Sequence, residues 1–266
     1  MLEVDESLYK SMEDIARQRY IDKKTEQFAI ESPERYSCAG EGNVRAFIEL
    51  TLAKSEKYNM PSDREVNSIS MLMQYLGCGF DADPQYPWAH LRDFGERKPY
   101  EKLEDSESFR RLSAIFRDLH TFGKRALGED YEYLIAFYTR VTKLDFHSLM
   151  ETRDDNSLLR LLEKLYPEKF ACIDNNALRS GVFAEAERKA ARYMLDATVG
   201  KNLCTGLIFL CGIDFDVDPL FGALKKYLEA DVLPGMGKEQ ELFSAVKQFV
   251  ADILYNFDKS KVSHVR

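Results

Sequence analysis

Two short stretches decide how this chain folds: Gly-Cys-Gly-Phe-Asp-Ala-Asp-Pro at residues 77–84 and Gly-Ile-Asp-Phe-Asp-Val-Asp-Pro at residues 212–219. Each stretch follows an apolar run with the length and spacing of a helix, and a second helix can begin after each. Glycine suits the position just past a helix end, where a left-handed backbone is costly for a residue with a Cβ atom. Each stretch therefore predicts a corner between two helices.

The other residues that the two stretches share also have predictable structural roles. The aspartate before the proline is a favoured N-cap residue, because its carboxylate accepts hydrogen bonds from free N–H groups at a helix start. The proline suits the first helical position, where no hydrogen bond is lost. The phenylalanine is expected to fill the inside of the corner. The residues predicted to build the two corners are Gly77, Phe80, Asp83, Pro84, Gly212, Phe215, Asp218 and Pro219.

The two corners belong to a longer internal repeat. The opening prolines, Pro33 and Pro167, lie 134 positions apart, and the closing Asp-Pro pairs lie 135 positions apart. After the opening prolines, Pro-Glu-Arg-Tyr-Ser-Cys at 33–38 matches Pro-Glu-Lys-Phe-Ala-Cys at 167–172. A near-constant offset at both ends indicates one helical module used twice.

The spacing of apolar residues predicts an all-α fold. Apolar residues recur at helical intervals along most of the chain, and the alternation typical of a half-buried strand is not sustained. Helices between Phe109 and Val141 are expected to connect the two copies of the repeat. We therefore expect two related helical lobes from an internal duplication: residues 1–98 form the first lobe, 99–150 the bridging helices, and 151–266 the second lobe with a C-terminal helix.

Local signals place individual helix ends. Ser62 followed by Glu65 is a capping-box pattern, in which the two side chains satisfy each other's backbone N–H groups. After the first Asp-Pro pair, the segment with Tyr86 and Trp88 predicts a short helix that ends near Phe94.

The charge of the chain limits the partners it can bind. The 266 residues carry a formal net charge of -8, with an isoelectric point near 5.2. Nucleic acids and anionic membranes have charge of the same sign, so broad binding to either is not expected. An acidic surface instead favours a basic protein partner.

Export and membrane insertion are not expected either. Glu3 and Asp5 stand where a secretory signal has basic residues. The longest apolar run, from Leu203 to Ile213, is shorter than the roughly 20 residues that cross a bilayer. We expect a cytoplasmic protein.

Sequence patterns of enzymes and cofactor sites are missing. The chain has no phosphate-binding glycine loop, nucleophile elbow or pair of closely spaced cysteines. Asp214, Asp216 and Asp218 resemble the start of a calcium loop, but Pro219 and Lys225 stand where that loop needs glycine and glutamate. We therefore expect no catalytic, cofactor or metal site, and an effector enzyme of unrecognised helical fold stays an alternative.

A partner surface is predicted next to the first corner. Tyr86 and Trp88 follow prolines at a helix start, and exposed aromatic residues often anchor protein partners. The second copy has Leu-Phe-Gly at 220–222 instead. We predict that Tyr86, Trp88, Asp81 and Asp83 contact a partner. The alternative for Trp88 is that it packs on the core of the first lobe.

The first copy also resembles a group of bacterial proteins. From Pro33 to Trp88, with the closing pattern Gly-x-x-Phe-Asp-x-Asp-Pro-x-x-Pro-Trp, the sequence is similar to small helical proteins encoded beside type VI secretion and other antagonism genes. The second copy, residues 167–219, resembles them more loosely because the Pro-Trp ending is missing. The resemblance implies an immunity protein that neutralises a cognate toxin, or alternatively an adaptor or chaperone that loads a secreted effector. It supplies no catalytic residues.

Overall fold

The structure, a computed structural model, describes residues 6–92, 94, 102–230 and 236–263. All regular secondary structure in these residues is helical, which confirms the predicted all-α fold. The α-helices are α1 (Glu6–Glu31), α2 (Pro33–Ala39), α3 (Glu41–Lys57), α4 (Asp63–Leu76), α5 (Glu107–Ala126), α6 (Glu132–Lys143), α7 (Phe146–Glu151), α8 (Asp155–Leu165), α9 (Pro167–Phe170), α10 (Asn175–Ala177), α11 (Phe183–Arg192), α12 (Val199–Cys211), α13 (Gly222–Leu228) and α14 (Met236–Ser263). A π-helical turn, Leu178–Val182, joins α10 to α11. Single 3-10 turns are Pro87–Ala89, Leu103–Asp105, Glu129–Tyr131 and Pro219–Phe221.

The buried apolar side chains of the described residues form two clusters. One is built between Ile21 and Ala126 by α1 to α5, which we call the first lobe. The other is built between Phe137 and Val250 by α6 to α14, which we call the second lobe. The helices within residues 99–150, predicted to bridge the lobes, are divided between these clusters: α5 packs in the first, and α6 and α7 pack in the second.

Helix ends confirm one sequence signal and correct another. The capping box is present, since the Glu65 N–H donates to Ser62 Oγ at 3.3 Å and the Ser62 N–H donates to Glu65 Oε2 at 3.2 Å. The prediction of a short helix from Asp83 to about Phe94 is wrong. Among the described residues from 84 to 94, only a turn and the 3-10 turn Pro87–Ala89 form. A helix starting at residue 84 needs an N–H at position 87 to reach the Asp83 carbonyl, and proline has none.

Backbone geometry repeats between the lobes at the offset found in the sequence. Gly77 ends α4 with a φ of 91°, and Gly212 ends α12 with a φ of 93°. Asn59 and Met194, also 135 positions apart, are both left-handed, with φ of 52° and 53°. The predicted helix stops at both glycines are confirmed, and common ancestry of the two copies stays a prediction.

The two glycine corners pack directly against each other. A Cβ atom on Gly77 would overlap the carbonyl oxygen of Cys211, and one on Gly212 would lie 2.5 Å from the carbonyl oxygen of Leu76. Only glycine combines this approach with a positive φ at low cost. The ends of α4 and α12 therefore meet backbone against backbone.

Two hydrogen bonds cross this contact, one in each direction. The Cys78 N–H donates to Asp218 Oδ2 at 2.9 Å, and the Ile213 N–H donates to Asp83 Oδ2 at 2.8 Å. Asp218 also accepts a hydrogen bond from the Leu220 N–H at the start of the 3-10 turn Pro219–Phe221, which confirms its predicted capping role and the predicted position of Pro219. Asp83 accepts from the Gln85 N–H in the same way, but no helix begins at Pro84, so the helix-capping role predicted for Asp83 and the first helical position predicted for Pro84 are wrong. We call the contact between residues 77–84 and 212–219 the corner interface.

Substitution of Gly77 by alanine tests the close approach. We expect Gly77→Ala to lower the free energy of unfolding by about 3 kcal/mol or more, because it combines left-handed strain with an overlap that the backbone must relieve. Urea denaturation measures the change.

Gly123→Ala is the matched control, because Gly123 lies inside α5 and a Cβ atom there would meet nothing within 4 Å outside the backbone of its own helix. There alanine should be neutral or stabilising by up to about 1 kcal/mol. Equal, small effects of the two substitutions would contradict the backbone contact at Gly77.

Candidate functional site

The second lobe holds a buried charge cluster behind its corner. Lys189 and Tyr193 both donate hydrogen bonds to the carboxylate of Asp216, the tyrosine at 2.8 Å. The Lys189 ammonium also lies 5.4 Å from the centre of the Phe215 ring. Phe215 is buried inside the corner as predicted. The cluster therefore ties α11 to the corner, and the Asp216 charge is fully matched within the lobe.

The first lobe repeats this cluster at an offset of 135. Lys54 and Tyr58 donate to the carboxylate of Asp81, and the Lys54 ammonium lies 5.5 Å from the centre of the buried Phe80 ring. Burial acts to raise the pKa of Asp81, but the opposing effects of Lys54 and Tyr58 leave it below its ordinary value. Asp81 was predicted to contact a partner, and its side chain is instead 5% exposed and bonded within its own lobe.

The remaining residues of the predicted partner surface lie largely inside the molecule. Asp83 is 0% exposed and Tyr86 is 2% exposed, so the prediction that these two form a contact surface is wrong. Asp83 is covered because the second lobe packs on the first corner. The Tyr86 ring meets the edge of Phe122, with centroids 5.4 Å apart. Trp88 is half-buried and packs on the core of the first lobe.

The three alternate acids of the second corner face different partners. Asp216 is bonded to Lys189, whereas Asp218 accepts from the Cys78 N–H. Asp214 lies against Gly79 of the other corner. In the part of the chain that the structure describes, no three His, Cys, Asp or Glu side chains come together as a metal site.

A cleft of about 350 Å³ opens between the lobes beside the corner interface. Its size lies in the range of about 300–1,000 Å³ common for small-molecule sites. It is lined from both lobes, mainly by aromatic and aliphatic side chains. The tyrosines in its wall are Tyr75, Tyr86, Tyr131, Tyr138 and Tyr166. This inter-lobe cleft is the candidate functional site, and sequence patterns did not reveal it because its two walls are far apart in the chain.

Two cations at equivalent positions of the repeat line the cleft. Arg35 of α2 is exposed and donates to the Gln74 carbonyl oxygen at 2.8 Å. Lys169 of α9 is 6% exposed and donates to the Phe209 carbonyl oxygen. The Lys169 ammonium also lies 5.4 Å from the centre of the Tyr86 ring. Burial lowers the pKa of Lys169 to about 8, so the side chain stays mostly protonated at neutral pH.

Comparisons with known proteins give no relative for this architecture. No protein-family model matches the chain. No curated protein is significantly similar in sequence. No solved structure is significantly similar in fold. Among the described helices, none is long and apolar enough to cross a membrane.

The buried aspartates of the corner interface make stability depend on pH. Burial raises the pKa of Asp83 to about 6, against the lowering effects of its hydrogen bonds and of Lys169. Burial also raises the pKa of Asp218. A folded-state pKa above the unfolded value means that the folded state binds the proton more tightly. Stability from these groups therefore rises as the pH falls through 6 towards 4.

We predict that the free energy of unfolding rises as the pH is lowered from about 7.5 to about 5, by about 1 kcal/mol for Asp83 alone. The Asp83→Asn variant should lose that part of the rise, because it cannot take up the proton. Urea denaturation at several pH values measures both proteins.

Asp154→Asn is the control, since Asp154 caps α8 at the exposed surface and its pKa is below the ordinary value, chiefly through its backbone hydrogen bond with Ser157. Its pH profile over this range should match that of the unsubstituted protein. A profile of Asp83→Asn that also matches would show that Asp83 does not titrate in this window.

Proposed function

We propose that this protein is a non-enzymatic, cytoplasmic binding protein, and specifically an immunity protein that neutralises a cognate secreted toxin. The observation that carries the proposal is an exposed apolar stripe on the first helix. It replaces the interior residues Asp83 and Tyr86 as the candidate contact surface.

The first three turns or so of α1 extend past the body of the first lobe. Every residue from 9 to 19 is exposed, whereas Ile21 and Phe28 further along the helix are buried. Arg17, near the end of the exposed part, pairs with Glu56 of α3 at 2.6 Å. The helix is therefore anchored by its second half and presents its first half to solvent.

Large apolar side chains line one side of this exposed part. Tyr9, Met12 and Ile15 are 69%, 62% and 51% exposed. Residues three apart in a helix lie on neighbouring turns of the same side, so these three form one stripe. An apolar helix face laid into a groove is a common form of protein recognition, and grouped exposed apolar residues mark such surfaces.

The charge of the chain favours a basic partner. The net charge of -8 attracts a positively charged protein over distances comparable to the screening length of the solution. In that arrangement the long-range attraction speeds the encounter, and the apolar stripe on α1 supplies the short-range contact. A toxin that acts on nucleic acid or on an anionic membrane has the basic surface that this arrangement requires.

The contacts repeated at 134 and 135 positions also support common ancestry of the lobes. Besides the corners and the charge clusters, Arg45 bonds Asp22 in the first lobe, and Arg179 bonds Asn156 in the second, each at 2.6 Å. We propose that the lobes arose by duplication of one module. Asn156, the counterpart of Asp22 in α1, lies in the first turn of α8, so α8 has no equivalent of the exposed first half of α1. The partner surface therefore lies on one lobe only.

Co-expression with the product of the neighbouring gene, which the proposal assigns as the toxin, tests the proposal. We expect this protein to restore growth of cells that express the toxin. The variant Tyr9→Ser, Met12→Ser, Ile15→Ser should lose the rescue while keeping its thermal stability, because all three side chains are exposed. Titration calorimetry of the purified pair should show the loss as weaker binding.

The matched control is the variant Ile30→Ser, Val217→Ser, which removes exposed apolar side chains outside the stripe, 81% and 50% exposed. It should rescue as well as the unsubstituted protein. Absence of rescue together with lost export of the effector would favour the adaptor alternative. Toxicity of this chain expressed alone would contradict both binding functions and favour an effector enzyme.

A further inference from the structure

The inter-lobe cleft contains a buried ammonium group without a matching anion. Lys169 donates one hydrogen bond, to the Phe209 carbonyl oxygen. Among the described residues, no carboxylate oxygen lies within 4 Å of its Nζ atom, although Asp83 is near enough to act against the lowering effect of burial on its pKa. An ammonium group has three N–H donors, so two remain for another acceptor.

Two tyrosine hydroxyls in the same cleft also lack acceptors. In the part of the chain that is described, neither Tyr86 nor Tyr138 has a hydrogen-bond partner for its hydroxyl, whereas the Tyr166 hydroxyl donates to the Ala126 carbonyl oxygen at 2.7 Å. Burial raises the pKa of Tyr86 well above its ordinary value and that of Tyr138 to about 12. Both hydroxyls therefore stay protonated and can donate.

Asp83 does not supply the missing acceptor. Its Oδ1 atom accepts from the Gln85 N–H, and its Oδ2 atom accepts from the Ile213 N–H and the Gln85 side-chain amide. The Asp83 carboxylate is therefore hydrogen-bonded within the corner interface and not to Lys169. The donors of Lys169 and the tyrosines are left for a group that enters the cleft.

The rest of the cleft suits an apolar molecular body. Its wall is formed by the side chains of Phe122, Leu134, Leu210, Phe221, Phe249 and Ile253. At the rim, Arg35 adds a second positive charge, while Glu31 and Glu34 add two carboxylates. The rim acids disfavour an anion with more than one negative charge. A singly charged carboxylate therefore fits the cleft better than a phosphate ester does.

We propose that the inter-lobe cleft binds a small organic carboxylate, whose charged group accepts hydrogen bonds from Lys169, Tyr86 and Tyr138 while its apolar body packs against the cleft wall. This site is separate from the α1 stripe proposed as the partner surface. Either can be present without the other.

Titration calorimetry with three probes of similar shape tests the chemistry of the site. Benzoate carries the carboxylate, benzamide is its neutral counterpart, and phenyl phosphate carries a doubly charged group. We expect benzoate to bind with a dissociation constant about tenfold or more below that of benzamide, because a hydrogen bond to a charged group contributes about 1.5–3 kcal/mol. Phenyl phosphate should bind more weakly than benzoate.

Two variants locate the binding in the cleft. Lys169→Met keeps the length of the side chain without its charge and should weaken benzoate binding about tenfold or more. Tyr138→Phe removes only a hydroxyl and should weaken it several-fold, which keeps the test informative if Lys169→Met does not fold. Lys164→Met, at an exposed position of α8, is the control and should leave benzoate binding unchanged.

Equal binding of benzoate and benzamide would overturn the proposal. So would the absence of benzoate binding at millimolar concentration, or unchanged binding in both Tyr138→Phe and a folded Lys169→Met. Tighter binding of phenyl phosphate than of benzoate would show that the cleft selects phosphorylated molecules and that the carboxylate assignment is wrong.

Discussion

The reciprocal pair of hydrogen bonds between the two corners is the contact on which the rest of the structure depends. The amide groups of Cys78 and Ile213 lie just past helix ends, and each finds its acceptor, Asp218 or Asp83, in the other lobe. A buried N–H without an acceptor costs about 1–3 kcal/mol. Each lobe therefore completes the polar contacts of the other, and we infer that the two fold as one cooperative unit.

This contact also determines the properties of the cleft beside it. Docking of the lobes buries Asp83 and Lys169 close to each other without a direct ion pair, and the Asp83 oxygens accept from Gln85 and the Ile213 N–H instead. The Lys169 ammonium therefore has two N–H donors without an acceptor among the described residues, in an enclosed space. A ligand bound there touches both lobes, so it binds the folded form only and stabilises it by mass action. Ligand binding and lobe docking are thus linked.

Much of the local structure could be predicted from sequence, since it depends on residues close together in the chain. The helix stop at Gly77, the cap at Asp218 and the repeat register all belong to this kind. The short helix to Phe94 could have been excluded too, because Pro87 removes the N–H that its first turn needs. Contacts between residues 130 or 140 positions apart leave no such pattern, which is why sequence reasoning places Asp83 at the surface. The packing of Tyr86 on Phe122 is likewise a tertiary contact with no local sequence signal. The burial of Lys169 could not be predicted either, because it depends on contacts with Phe209 and Tyr86, which are distant in the sequence.

Native-state hydrogen exchange of the Cys78 and Ile213 amides tests most directly whether each lobe supplies the hydrogen-bond acceptor for the other. These amides lie outside helices, so only the cross-lobe bonds to Asp218 and Asp83 can protect them. We predict that both exchange with the same free energy of opening as the most protected amides of α4 and α12, which requires global unfolding. Exchange of either amide at the rate of an exposed loop, while the helices stay protected, would contradict the reciprocal contact.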